Sequence, residues 1–178
     1  VLSLDYIKET LNSDLTKVPD ARVYTHAETG KRASEMALNR AGLEAADIGM
    51  VIAGSCNPEY LTPADACTIA ATMGMEVPSF DVNSACTSYH VALHLLSMMR
   101  PEAVPDFVLV VTPETVTTTV DYSDRSAAVL WGDGTTAAVL STKVPSRVQV
   151  IGNRLESSPA GFDKVTIGHN DHFTQEGR

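Results

Sequence analysis

Cys86 is the residue of this sequence best suited to nucleophilic chemistry. It follows the short apolar run of residues 79–82 and opens the predicted helix 86–99. A thiol reacts as its thiolate, and the unpaired N–H groups and positive dipole end of a helix amino terminus favour that charge. Small residues around the sulfur would leave room for a substrate carbonyl: Ser84, Ala85, Thr87 and Ser88. The pattern indicates a covalent nucleophile, with a buried structural cysteine as the alternative.

The helix terminus alone does not make Cys86 reactive enough. An ordinary cysteine has a pKa of about 8.5, so only a few per cent of it is ionised at neutral pH. Lowering that pKa to about 7 requires about 2 kcal/mol of preferential thiolate stabilisation. An exposed helix end supplies about 0.3–1 kcal/mol. We therefore expect Cys86 to need a partner base.

Composition limits the possible classes of protein. A chain of 178 residues with 44% hydrophobic content is long enough for one sizeable core and short for two domains. A formal net charge of −9 argues against nucleic acid or an anionic membrane surface as a general partner. The apolar runs are too short to span a bilayer and no leader precedes them, so we expect a soluble protein.

The three cysteines, Cys56, Cys67 and Cys86, lack the number and spacing of a disulfide framework. Their pattern favours a reducing cytoplasm, in which a thiol nucleophile survives. The spacing also lacks the Cys-x-x-Cys pairs of a structural zinc site.

Hydrophobic periodicity predicts an α/β fold in which helices alternate with short apolar strands. Residues 13–30 read as a loop with a short strand at 22–25, and residues 113–126 as a threonine-rich loop. The predicted helices are 4–11, 33–43, 63–73 and 86–99. The predicted strands are 48–55, 79–82, 107–111, 127–131, 136–141 and 148–153, with antiparallel pairing late in the chain.

Two further segments carry information. Gly132-Asp133-Gly134 separates two apolar runs, where the glycines would permit positive φ and Asp133 would accept hydrogen bonds from turn amides. By itself this segment predicts a hairpin turn. Residues 56–63 connect a strand to a helix at the strand end where open α/β sheets place ligands.

The order of these three segments, within residues 33–153, resembles the β-ketoacyl-acyl-carrier-protein synthase III family. The signature runs from the strand–turn–proline helix to Asp-Val-Asn-Ser-Ala-Cys-Thr-Ser and then to Asp-Arg-Ser-x-x-Val-Leu-x-Gly-Asp-Gly. The resemblance implies a thiolase-like fold of two related five-stranded halves in α-β-α-β-α layers, usually a homodimer. Residues 1–178 would form the amino-terminal half, with one five-stranded mixed sheet.

The resemblance also implies roles for individual residues. Cys86 matches the cysteine that takes an acyl group from acyl-CoA, and its own N–H resembles part of the oxyanion hole. Arg125 matches an arginine beside bound coenzyme A, which suits a guanidinium that stacks on adenine and pairs with phosphate. The alternative for Arg125 is an ion pair with Asp124, Asp121 or Glu114. Thr62 stands where many relatives carry a bulky aromatic residue. The smaller side chain favours tolerance of longer or branched acyl groups.

The family also uses a histidine and an asparagine from the second half of the fold, after Arg178. The chain therefore reads as a fragment, one polypeptide of a split enzyme, or a cleavage product. We expect it to expose an apolar surface and to assemble as a homodimer or with a chain that supplies the carboxy-terminal half.

The histidines within the chain offer weaker alternatives. His90 and His94 stand four residues apart on one predicted helix and could face one metal ion, although a polar face without metal is the more common arrangement. His169 and His172 lie in a polar tail. An unrelated cysteine hydrolase would need a His–Asp pair such as His169 and Asp171. We assign no metal site.

The leading hypothesis is acyl transfer through a Cys86 thioester, with condensation of an acyl-CoA and a malonyl-carrier-protein unit in fatty-acid or polyketide-type biosynthesis. Acyl-CoA and the phosphopantetheine of an acyl carrier protein would be substrates, with no separate cofactor. Two alternatives stay open: transfer of the acyl group to a hydroxyl or amine, and a non-catalytic subunit that binds coenzyme A.

Overall fold

The computed structural model describes residues 1–167 and 173–175 of the chain. These residues divide into two units. The first contains Val1–Thr25, Thr115–Asp133 and the described part of Glu156–Arg178; the second contains His26–Glu114 and Gly134–Leu155. Each unit is described by itself.

The second unit is built on a four-stranded mixed sheet with the strand order β2-β1-β3-β4. The strands are β1 (Met50–Ala53), β2 (Ser79–Asp81), β3 (Val108–Glu114) and β4 (Gly134–Leu140). β1 pairs in parallel with both β2 and β3, whereas β4 runs antiparallel to β3. The carboxyl ends of β1, β2 and β3 therefore lie at the same edge of the sheet.

Helices cover both faces of this sheet. One face packs α3 (His26–Ala41) and α4 (Asp65–Thr72), and the other packs α5 (Ser88–Met98). Alternate residues of β1 and β3 belong to two separate clusters because strand side chains point to opposite faces. Val51, Ala53, Leu109 and Val111 join the α3/α4 cluster, and Ile52, Val108 and Val110 join the α5 cluster. Continuous apolar strands are the expected sequence pattern for such a doubly covered sheet.

α3 and α4 approach closely because of a glycine. A Cβ atom built on Gly30 would lie 2.6 Å from Cδ1 of Ile69, so a side chain there would collide with the α4 core residue. α4 gains its amino-terminal cap from the neighbouring strand: the Asp81 carboxylate accepts hydrogen bonds from Asp65 N at 2.8 Å and Ala66 N at 2.9 Å. These contacts fix the helix against the end of β2.

The first unit contains short elements. They are α1 (Leu4–Thr10), α2 (Val18–Ala21), α6 (Arg125–Ala128), and the antiparallel strands β5 (Val165–Ile167) and β6 (Phe173–Gln175). The buried Asn12 organises one part of it, because its Nδ2 donates to the carbonyls of Thr118 at 3.1 Å and Val120 at 2.9 Å. Among the described residues, no helix is both long and apolar enough to cross a membrane.

The predicted α/β class with a mixed sheet is confirmed, but the second unit has four strands rather than five. Residues 127–131, predicted as a strand, begin within α6 and continue as a turn. The Asp124 side chain accepts a hydrogen bond from Ser126 N at 3.0 Å and caps that helix, which explains the difference. Residues 148–153, also predicted as a strand, pair with no described strand.

Other boundaries shift. The predicted loop 13–30 contains α2, and α3 begins at His26 rather than at residue 33. The predicted helix 63–73 begins at Asp65 because Pro63 and Ala64 are extended residues ahead of it. The strand predicted at 107–111 continues to Glu114, through residues assigned to the threonine-rich loop.

Candidate active site

Cys86 lies in a single 3-10 turn, Ala85–Thr87, that connects the end of β2 to α5. The helix itself begins at Ser88, so the nucleophile precedes the helix by two residues instead of opening it. Its side chain is exposed. The alternative of a buried structural cysteine is therefore wrong, and the sulfur is reachable from solvent.

The backbone just before the sulfur adopts an unusual conformation. Ala85 has φ of 45°, in the left-handed region that side chains other than glycine rarely adopt. Such conformations cost of order 1–2 kcal/mol and persist only where the surroundings impose them. The turn therefore presents Cys86 at an angle that an ordinary strand-to-helix connection would not give.

Hydroxyl groups impose this conformation. Ser88 Oγ donates to the carbonyl of Ala85 at 2.7 Å and accepts from Ser84 N at 3.0 Å. Thr87 Oγ1 donates to the carbonyl of Ser84 at 2.8 Å. Asn83 Oδ1 accepts from Ala85 N at 3.0 Å. The small polar residues that the sequence suggested would make room for a substrate also hold the turn.

The end of β1 packs directly against the start of α5. A Cβ atom on Gly54 would lie 2.5 Å from Ser88 Cβ and 2.7 Å from the Val82 carbonyl oxygen. No side chain fits there, so glycine is required for this approach. The contact brings the residues that follow β1 beside the turn that carries Cys86.

A carboxylate at the end of β3 binds the residues that follow β1. Glu114, half-buried at the end of β3, accepts a hydrogen bond from Ser55 Oγ at 2.7 Å through its Oε1. Cys56 N donates to that oxygen at 2.8 Å, and Cys56 Sγ donates to Oε2 at 3.0 Å. Glu114 thus fixes both the backbone and the thiol of Cys56.

Cys56 is the second thiol of the site. Burial raises the pKa of the Cys56 thiol to about 12, together with its hydrogen bond to Glu114 and the negative charges of Glu114 and Cys86. The electrostatic influence of Cys86 places the two cysteines within range of each other. At neutral pH Cys56 is therefore a neutral thiol beside the exposed Cys86.

A buried polar network supports the loop between β1 and α4. His26 Nδ1 lies 2.8 Å from Asp65 Oδ2, and both residues are 1% exposed. His26 N donates to Glu59 Oε2 at 2.8 Å, and Glu59 N donates to Asp65 Oδ1 at 3.3 Å. The network connects the first residues of α3 and α4 to the loop.

These three side chains are also the one group among residues 1–167 and 173–175 whose ligand atoms lie close enough together to hold a metal, all within 4.8 Å. Each carboxylate already accepts hydrogen bonds from the protein. The three side chains thus form hydrogen bonds within the network and hold the loop between β1 and α4 in place. Sequence analysis predicted a loop for residues 13–30, whereas in the structure His26 is the first residue of α3.

His90 and His94, the pair considered for a metal, make separate contacts. The His90 ring meets Tyr89 edge-on with centroids 5.8 Å apart. His94 Nδ1 is hydrogen-bonded to Asn153 Oδ1. His169, Asp171 and His172 lie outside the described residues.

Arg125 and Asp133 belong to the first unit. Arg125 is the exposed first residue of α6 and forms no ion pair within the described residues of its unit. Asp133 accepts from Thr117 N at 2.9 Å and Thr117 Oγ1 at 2.7 Å. The predicted hairpin around Asp133 is wrong: β4 pairs with β3, and neither Gly132 nor Gly134 has positive φ.

Thr62 lies in the exposed loop between β1 and α4, beside Leu61, which is 82% exposed. The Thr62–Pro63 peptide bond is cis. The loop presents its apolar tip to solvent at the same edge of the sheet as Cys86, because it follows β1 as Cys86 follows β2.

Sequence analysis missed Glu114 and Cys56 as site residues. A signal was available: a single carboxylate follows the apolar run 107–111 by three residues, and Cys56 follows β1. Since carboxyl ends of neighbouring parallel strands meet at one edge, residues at 56, 86 and 114 were candidates for one site.

Comparison with known sequences finds similar proteins of one kind. The sequence model described as 3-oxoacyl-[acyl-carrier-protein] synthase III matches residues 80–159, which include Cys86 and Glu114. The β-ketoacyl-[acyl-carrier-protein] synthase III of Campylobacter curvus is 36% identical over 118 residues, covering 65% of this chain and 35% of the relative. That of Aliarcobacter butzleri is 35% identical over 132 residues, covering 71% of the chain and 40% of the relative.

Comparison with solved structures gives the same result for the fold. The 3-oxoacyl-[acyl-carrier-protein] synthase III of Aquifex aeolicus superposes with a TM-score of 0.80 at 24% identity, covering 88% of this chain and 51% of the other. The priming β-ketosynthase of the R1128 polyketide pathway superposes with a TM-score of 0.75 at 28% identity, covering 86% and 49%. The predicted thiolase-like fold of these enzymes is confirmed.

The chain spans about half the length of these solved relatives and 35–40% of the curated ones. The match of sequence, fold and order of segments is nonetheless specific. Residues 80–159 match the model of the 3-oxoacyl-[acyl-carrier-protein] synthase III family, and the chain is similar to a part of the enzymes that carry this name.

Proposed function

We propose that this chain is the nucleophile-bearing, amino-terminal half of a condensing enzyme. The single observation that carries the proposal is the exposed Cys86 in a strained turn at the end of β2, within the segment that matches the family. A nucleophile held at a strained turn between strand and helix is pre-positioned for attack, because no reorganisation is needed when substrate binds.

In the proposed first step, the Cys86 thiolate attacks the thioester carbonyl of an acyl-CoA. A tetrahedral intermediate forms, the bond to the coenzyme A sulfur breaks, and coenzyme A leaves as its thiolate. The product is an acyl thioester on Cys86. The Cys86 N–H, in the turn ahead of α5, would stabilise the oxyanion of the intermediate.

In the proposed second step, a malonyl unit on an acyl carrier protein loses carbon dioxide, and the resulting carbanion attacks the Cys86 thioester. The new carbon–carbon bond forms as the Cys86 thiolate leaves, which regenerates the nucleophile. The groups that bind the malonyl thioester would come from the carboxy-terminal half of the enzyme. This chemistry fits fatty-acid or polyketide-type chain initiation in the cytoplasm.

Arg125 would contribute to binding coenzyme A. Its guanidinium is exposed, and within its unit it is engaged in no ion pair among the described residues. A free guanidinium can stack on adenine or pair with phosphate. An Arg125→Ala variant should weaken coenzyme A binding in calorimetry, whereas Arg147→Ala, which also removes an exposed arginine, should not.

The test of the function is intact-protein mass spectrometry. The chain is mixed with acetyl-CoA or a branched acyl-CoA, alone and with the polypeptide that supplies the second half. We expect one acyl adduct, lost in Cys86→Ala and kept in Cys67→Ala, which removes another exposed thiol. Adducts that survive Cys86→Ala, or no adduct with any donor, would overturn the proposal. Preference for the branched donor would support a role of Thr62 in acyl choice.

Assembly is part of the proposal. We expect a homodimer or a complex with the second half, since the chain exposes large apolar side chains such as Leu61, Ile151 and Phe162. Sedimentation analysis of the chain with and without the second polypeptide distinguishes these states.

A further inference from the structure

The site contains two thiols and one carboxylate that arrive on three neighbouring parallel strands. Cys56 follows β1, Cys86 follows β2, and Glu114 ends β3. The close packing of Gly54 on Ser88 brings the first two segments together. The three groups are far apart in the sequence, and only the sheet places them at one edge.

The two thiols have different surroundings. Cys86 is exposed, whereas Cys56 is half-buried and donates to Glu114 Oε2 at 3.0 Å. The backbone N–H of Cys56 and the hydroxyl of Ser55 bind the same carboxylate. Glu114 is therefore held in place by three donors, and its charge remains directed at the Cys56 proton.

We propose that Glu114 confines acylation to Cys86 by holding the neighbouring Cys56 sulfur as a protonated, hydrogen-bonded thiol. Glu114 acts through Cys56 and is a positioning residue rather than a catalytic one. The inference rests on the proposed function of Cys86 but concerns a different property, the choice between two sulfurs at the same edge of the sheet.

The chemistry explains why such a choice matters. If Cys56 lost its proton, its thiolate could attack the acyl thioester on Cys86. The bond from the carbonyl carbon to Cys56 would form, the bond to the Cys86 sulfur would break, and the Cys86 thiolate would leave. The acyl group would then sit on the half-buried sulfur, away from the incoming carbanion. Retention of the proton on Cys56 prevents this exchange because the thiolate, not the thiol, is the nucleophile.

Two titratable groups act on the Cys56 thiol: Glu114 from β3 and Cys86 from the turn ahead of α5. Both carry or acquire negative charge, and both raise the pKa of Cys56. Replacing Glu114 with glutamine keeps the side-chain shape and one acceptor oxygen but removes the charge. The pKa of Cys56 should then fall.

The experiment measures alkylation by iodoacetamide, resolved to each cysteine by peptide mass spectrometry. It uses the full chain carrying Cys67→Ala, so that only Cys56 and Cys86 react. Rates are measured from pH 7 to pH 10.5 in this background and with Glu114→Gln added. Glu35→Gln, which removes an exposed carboxylate on α3, is the matched control.

In the parent we expect Cys86 to react at least about tenfold faster than Cys56 at pH 7.5, which corresponds to a difference of one pKa unit or more. Glu114→Gln should raise the Cys56 rate at least about tenfold and move its pH profile to lower pH. Glu35→Gln should change neither. A purely structural loosening would raise the rate equally at every pH, whereas lost charge shifts the profile.

An unchanged Cys56 profile in Glu114→Gln, or comparable rates for both cysteines in the parent, would overturn the inference. If Glu114→Gln fails to fold by circular dichroism, Glu114→Asp replaces it, because the shorter side chain withdraws the carboxylate from Cys56 Sγ. A faster Cys56 reaction with a profile moved to lower pH then supports the inference, and an unchanged profile contradicts it. Alkylation needs no acyl-CoA, so failure here is separate from failure of the acylation test.

Discussion

His26 Nδ1 lies 2.8 Å from Asp65 Oδ2, in a buried pair that connects the first residues of α3 and α4. The loop that contains Cys56 and Thr62 ends at this pair, and the Asp81 carboxylate at the end of β2 binds the backbone of Asp65. The pair is thus the support on which the two strand ends of the site depend.

Removing one member of the pair should destabilise the second unit strongly. Asp65→Ala removes the buried carboxylate that lies 2.8 Å from His26 Nδ1, and loss of one member of a buried pair costs about 3–5 kcal/mol. The matched control is Asp106→Ala, whose carboxylate is 67% exposed and pairs with Lys143 at 3.0 Å. That change should cost less than about 1 kcal/mol. Urea unfolding followed by circular dichroism measures both, and equal losses would contradict the assigned role.

The tight approach of Gly54 to α5 predicts that alanine is tolerated much less well at residue 54 than at an open glycine position. Gly54→Ala places a methyl group 2.5 Å from Ser88 Cβ, so the β1 end or the helix must shift, at a cost of about 1–3 kcal/mol. Because the shift moves the turn ahead of α5, alkylation of Cys86 should slow as well. Gly132→Ala, where a Cβ meets nothing within 4 Å, is the control and should be close to neutral. Similar thermal unfolding of the two variants would argue against this packing.

The left-handed conformation of Ala85 can be tested with two opposite changes. Ala85→Gly removes the steric penalty at φ of 45° and should leave stability equal or higher by up to about 1 kcal/mol. Ala85→Val adds a branched side chain to a conformation it tolerates poorly and should destabilise by at least about 1 kcal/mol. Differential scanning calorimetry gives the order, and a valine variant as stable as wild type would rule out the strained turn.

Stability should also depend on Cys56 at high pH. Burial raises the pKa of the Cys56 thiol to about 12 in the folded protein, above its value of about 8.5 in the unfolded chain. The folded state therefore retains this proton longer, so the contribution is complete below about pH 8.5 and is lost as pH rises toward about 12. The stability of wild type should approach that of Cys56→Ala as pH increases.

Urea midpoints at pH 8 and pH 10.5 measure this effect as the difference between wild type and Cys56→Ala. Taking the difference cancels other groups that titrate in the same range, such as Tyr89, whose pKa burial also raises. Cys67→Ala should retain the wild-type slope. A difference that stays constant with pH would contradict the raised pKa of Cys56.

The sequence predicts much of the core because continuous apolar runs such as those in β1 and β3 have few alternatives to a covered parallel strand. It fails where local chemistry competes with hydrophobicity. Residues 127–131 are apolar, but the Asp124 cap and the alanines favour the short helix α6. Residues 148–153 carry three β-branched apolar side chains, but a strand needs a partner that no sequence window reveals.

The site residues also differ in whether the local sequence predicts them. Cys86 was predictable because its position between a strand and a helix is a local property. Its partners Cys56 and Glu114 could be suspected only from their places at strand ends, since their meeting depends on the order β2-β1-β3, which is a property of the whole sheet. The left-handed Ala85 was also hidden, because alanine gives no signal of positive φ.

Because of the parallel register, the arrangement of Cys56, Cys86 and Glu114 tolerates changes in loop length but not in strand length. Ala53 lies opposite both Asp81 and Val111, so these three residues form one row across the strands. The position of each site residue is set by its distance along the chain from this row. Surface connections such as Pro101–Ala103 can lengthen or shorten without altering that row. Deletion of one residue inside β3 would instead rotate the Glu114 side chain to the opposite face of the sheet. Evolutionary drift in this protein should thus accumulate in loop length while the spacing within each strand stays fixed.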